Sequence, residues 1–216
     1  FSAFFGYEKL MYSFGHAIFH ASPELLAQHT SICNKLVFEL SNATGTESWI
    51  AMGIYCLVCF CCRLPNYVAK AVPESIFQLI GSAVSTFFKE GREDELNRTR
   101  IGLNRLGEII IRKTQSKSTV PLLVLQAVTH SSCADAYQIS DLEVRMTTGA
   151  FLRTAIQVYG KTYMELMLRD ATKDKYSFVR CCITATPPFQ VNHMEETKNA
   201  YCDVIITTFI PKHQKS

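Results

Sequence analysis

The stretch Trp49–Cys62, WIAMGIYCLVCFCC, carries no charge from end to end. As an α-helix it would be about 21 Å long, short of the roughly 30 Å hydrocarbon core of a bilayer. Arg63 and Pro65 close it on one side, and Thr46, Glu47 and Ser48 open it on the other. An apolar run of this length reads as a helix buried on all sides of a protein core rather than as a membrane span. We therefore expect it to be the central core helix, with the other helices packed around it.

Outward from that stretch, the chain keeps the same helical grammar. Residues 4–21 place Phe4, Leu10, Phe14, Ala17, Ile18 and Ala21 at the three- and four-residue spacings of an amphipathic helix. Ser22-Pro23-Glu24 is a helix start, with Ser as N-cap, Pro at the first helical position and Glu at the positive end of the dipole. Leu25, Leu26, His29, Ile32, Leu36, Val37 and Leu40 are expected to share the buried face that follows. After the Arg63–Asn66 break, Pro73-Glu74 opens a helix through Phe88. Residues 93–113 and 120–136 give two more. Ser140 to Glu143 has the spacing of a capping box, opening a helix that Gly160 ends, with a short successor over 161–169. Beyond it, Tyr176–Ile183 and Tyr201–Ile210 are rich in β-branched and aromatic residues and read either as two strands or as helices. Residues 1–175 thus form one helical domain and 176–216 an appendage.

Composition narrows the class. Of 216 residues 48% are apolar and only 19% charged, which leaves an unusual share of apolar surface for partners to cover. A net charge of +3 neither demands nor excludes nucleic acid. The nine cysteines sit inside apolar helical runs or side by side, an arrangement of reduced thiols rather than of a small disulfide scaffold. The compartment is therefore an intracellular, reducing one. Asn42-Ala43-Thr44 and Asn97-Arg98-Thr99 match the glycosylation acceptor pattern by chance on this reading. Phe1 in place of an initiator methionine is expected to mark either a fragment boundary or a removed targeting segment.

Four helices share an apolar-then-glycine centre: Phe14-Gly15, Met52-Gly53, Ile101-Gly102 and Thr148-Gly149, roughly 40–50 residues apart. A glycine in mid-helix costs about 1 kcal/mol against alanine, so four in register suggest close helix crossings. Over roughly residues 1–170 this pattern resembles the octotricopeptide and FAST-kinase-like helical-hairpin repeats of organelles, which stack into α-solenoids as pentatricopeptide and armadillo-type proteins do. No nuclease-like terminal domain accompanies the resemblance. It implies RNA handling or assembly in an organelle, with the mitochondrial matrix favoured.

The candidate chemistry is sparse. Cys56, Cys59, Cys61 and Cys62 form the most metal-like cluster, but no second pair completes a tetrahedral set, and buried free thiols explain them better. His16 and His20 stand at i, i+4 without the glutamate of an H-E-x-x-H motif. His130-Ser131-Ser132-Cys133 lacks a nucleophile elbow. No phosphate-binding or dinucleotide motif appears, so no cofactor, metal or small-molecule substrate is assigned. The cations are better organised. Arg98, Arg105 and Arg112 recur at seven-residue spacing along one helix stripe, extended by Arg100, Lys113 and Lys117. Such a row suits phosphate contact, a solvated helix face, or an acidic protein partner.

The fold expected is all-α: antiparallel helical hairpins stacked as a short α-solenoid or helical-repeat array, with a small C-terminal β appendage as one option. The function expected is a non-catalytic scaffold subunit of a larger assembly, an organellar ribonucleoprotein first among them. Its partners would be protein subunits, with RNA met at Arg98, Arg100, Arg105, Arg112, Lys113 and Lys117, and without membrane insertion. The alternatives are a free-standing RNA-binding repeat protein and a metal-dependent enzyme with its site at His16/His20.

Overall fold

The computed structural model describes residues 13–42, 47–84, 87, 93–114, 119–132 and 140–170. Among these, 92% are helical and none lies in a strand, so the fold is all-α. In chain order the helices are α1 (residues 13–20), α2 (Pro23–Gln28), α3 (Thr30–Ser41), α4 (Glu47–Arg63) and α5 (Pro65–Ala71). A 3-10 turn over Glu74–Ile76 leads into α6 (Phe77–Ala83), followed by α7 (Glu93–Thr114), α8 (Thr119–Ser132) and α9 (Leu142–Asp170). The expected 176–216 appendage lies outside the described residues.

Local chemistry accounts for most boundaries. Ser22 caps α2 by accepting from the Leu25 N–H at 3.2 Å, with Pro23 leading the helix. Arg63 ends α4, and Pro65 starts the short α5, an element not expected from sequence because its seven residues show no clear period. One continuous helix over 23–40 is corrected: the chain breaks at His29, whose φ of −115° and ψ of 30° leave the helical region. That break resets the phase, so Leu26, Cys33, Leu36, Val37 and Leu40 are buried while Leu25, His29 and Ile32 face out. The capping box at Ser140 is also corrected. Asp141 caps α9, its Oδ1 accepting from the Val144 N–H at 3.0 Å, because a carboxylate one residue later meets the dipole more strongly. Gly160 interrupts α9 with φ 51° and ψ −128°, as expected, and the run continues beyond it on a new axis.

The core runs through α4, where every residue from Met52 to Cys62 is buried. Its neighbour α7 is equally central, with its largest contacts against α9, α4 and α8. Matched positions set the directions. Gly15 of α1 lies under the Tyr55 ring of α4, and Arg63 reaches back to the Ala21 carbonyl, so numbers rise together and the two helices are parallel. Gly102 of α7 lies against Val58 and Arg105 against the Cys62 carbonyl, again parallel. Asn104, Gly107 and Thr114 of α7 meet Thr148, Phe151 and Tyr159 of α9, parallel once more. By contrast Gly53 of α4 meets Leu40 and Leu36 of α3, while Tyr67 of α5 reaches Thr30 and Asn34, so α3 runs against α4. Contacts of α3 with α5, of α6 with α4 and α8, and of α8 with α7 and α9 complete the packing.

Glycine makes the closest of these crossings possible. A Cβ on Gly102 would fall on the Val58 carbonyl oxygen and 2.7 Å from its Cγ1, so α7 and α4 approach backbone to side chain only because position 102 has none. At the α7–α9 crossing the buried Asn104 donates to the Thr148 hydroxyl at 2.9 Å, which satisfies an amide that would otherwise be costly in the core.

Candidate functional site

The basic stripe of α7 is the feature most open to a functional reading, and the structure gives it a specific set of partners. Arg98 Nη1 donates to the Phe19 carbonyl at 3.0 Å, at the C-terminal end of α1. Arg105 Nη1 donates to the Cys62 carbonyl in the last turn of α4, and its Nη2 meets Glu143 Oε1 at 2.8 Å. Lys113 Nζ donates to the carbonyl of Val72, the C-cap residue of α5. Helix C-termini leave their last carbonyls without intrahelical donors and carry the negative end of the dipole, so a cation there is doubly favoured. Three cations of one helix therefore satisfy the ends of three others. Arg63 adds a fourth such bond, from Nη2 to the Ala21 carbonyl at 2.9 Å.

The periodicity follows from geometry. Positions 98, 105 and 113 lie about 10 and 12 Å apart along the α7 axis. Packed helices stand about 8–10 Å apart, so a row of helix ends presented to α7 calls for cations at just such an interval. Arg112, by contrast, is directed to solvent with its side chain 70% exposed, and it meets Glu108 one turn back at 3.1 Å. Burial holds the Glu108 carboxyl above its usual range against the pull of Arg112, Arg105 and Arg153. Arg100 is half-buried on the same helix, and Lys117 lies outside the described residues. Among the described residues, Arg98, Arg105 and Lys113 meet backbone carbonyls while Arg112 faces solvent. This capping was missed from sequence because its acceptors are backbone carbonyls, which leave no side-chain signature.

The histidine pair stands close to the head of the stripe. The His16 and His20 rings are 4.3 Å apart between centroids, and His16 Nε2 lies 3.3 Å from Glu95 Oε1. Arg98 Nη1 comes within 3.5 Å of His20 Nδ1. The guanidinium can only donate, so it is the Nδ1 side of the His20 ring that faces the Arg98 donor. Among the described residues no group of three or more His, Cys, Asp or Glu side chains is placed to hold a metal ion.

The cysteines are packed as apolar side chains. Cys33, Cys56, Cys59, Cys61 and Cys62 are buried thiols outside any disulfide. Burial pushes the Cys33 and Cys62 thiols up to about 11 and Cys56 to about 12, and raises Cys59 and Cys61 well above the usual thiol range. These groups stay protonated at neutral pH and are poor nucleophiles and poor metal ligands. His130 is exposed in the last turn of α8, while Cys133 lies outside the described residues. Asn97 is buried in the second turn of α7 and the Thr99 hydroxyl donates to the Glu95 carbonyl at 2.9 Å, so the second acceptor pattern is not presented to an enzyme. No described helix is long and apolar enough to cross a membrane.

No family model, curated protein or solved structure matches this chain.

Proposed function

We propose that this protein is a non-catalytic interaction scaffold, a short α-solenoid of stacked antiparallel hairpins that serves as a subunit of a larger intracellular assembly. In this reading α1, α4, α7 and the first part of α9 form one layer of parallel helices. The helices α3, α5, α6 and α8, with the part of α9 beyond Gly160, return the chain along a second layer. The parallel pairings within the first layer, the α6–α8 contact and the bond between Thr129 of α8 and Tyr163 of α9 support that arrangement. A stack of this kind presents a long surface made by several elements at once, which suits binding to other macromolecules.

The observation that carries the reading is the contrast between spent cations and open apolar side chains. Arg98, Arg105 and Lys113 hold helix ends together, whereas Phe38 of α3 is 65% exposed and Leu142 of α9 60%. In this reading those two side chains are where a next helix or a partner would pack. An organellar ribonucleoprotein remains the assembly favoured by the sequence pattern, with RNA reached through Arg112 rather than through the whole stripe.

The test is affinity capture of the full chain from native extract, with and without ribonuclease, alongside Phe38→Glu, Leu142→Glu and Arg112→Glu variants. Protein partners that survive ribonuclease and are lost with either apolar substitution support the scaffold. Partners released by ribonuclease and by Arg112→Glu point instead to RNA binding. A chain recovered alone from every condition overturns both.

A further inference from the structure

We draw no further inference here: the strongest candidate, the outward apolar positions Leu142, Met146 and Val158 along the last long helix, carries nothing because nothing in the structure shows what covers them.

Discussion

Replacing Arg105 with methionine separates a structural rail from a phosphate-binding row. The substitution keeps the aliphatic stem and removes the guanidinium. It deletes the bond to the Cys62 carbonyl and the 2.8 Å contact with Glu143. A charged hydrogen bond to a part-buried carbonyl is worth about 1.5–3 kcal/mol. The Glu143 pair adds less than about 1 kcal/mol, because that carboxylate is 59% exposed and screened. The expected loss is therefore about 2–3 kcal/mol, or about 4–12 °C in Tm for a domain of this size. Arg112→Met, on an outward side chain, should change stability by less than about 0.5 kcal/mol. Urea unfolding followed by far-UV circular dichroism reads both variants, and Glu143→Gln in a double-mutant cycle isolates the minor pair. Arg98→Met and Lys113→Met should behave like Arg105→Met. If Arg105→Met and Arg112→Met unfold at the same midpoint, the capping argument is wrong and the stripe is surface charge after all.

Gly102→Ala gains about 1 kcal/mol of helix propensity, yet its Cβ meets the Val58 backbone, an overpacking of about 1–3 kcal/mol or more, so a net loss of stability is expected by thermal melt. A gain would mean that α4 and α7 separate readily. The five buried thiols make the fold sensitive to alkali. Their folded pKa values are raised, so the stability they contribute is complete below pH 9.0, the unfolded value, and is lost as pH rises towards 11–12. As pH passes 9.0 each thiol that stays neutral in the core but ionises in the unfolded chain weakens the fold, and all five act in the same direction. A pH titration of circular dichroism should show cooperative unfolding in that window; an unchanged spectrum at pH 11 would contradict the burial. At pH 7.5 a maleimide should label peptides containing Cys33 and Cys56–Cys62 only after urea is added, and labelling of the native chain would refute their sequestration. Glu108→Gln removes a carboxylate whose folded pKa is also raised, so wild-type Glu108 loses stability as pH climbs above about 4.5 and through its folded value. The variant should match or exceed wild type at pH 7, by less than about 1 kcal/mol, and lose that advantage below pH 4.5; destabilisation at pH 7 would show that the Arg112 pair outweighs the burial.

What could be read in advance, and what could not, divides along the kind of partner each residue has. The α4 core, α7 and the break at Gly160 were legible because they depend on apolar periodicity or on a residue whose conformational freedom is local. The register of α3 was not: after the break at His29 its buried row is Cys33, Leu36, Val37 and Leu40, and Ile32 sits at the exposed edge of that row. The arginines show the limit most sharply. Their seven-residue spacing was plain in the sequence, and it suggested phosphate because a row of guanidinium groups along one helix stripe can bridge phosphates. Seven residues of an α-helix rise about 10 Å, close to the roughly 8–10 Å between packed helix axes. Periodicity therefore identifies that α7 faces a regular series of negative groups, while the nature of the series depends on tertiary structure. Here the series is the carbonyl ends of α1, α4 and α5, which also explains why the row shifts from seven residues to eight at Lys113. A phosphate backbone is flexible and would tolerate strict heptads; fixed helix ends impose their own interval, and the cations follow it.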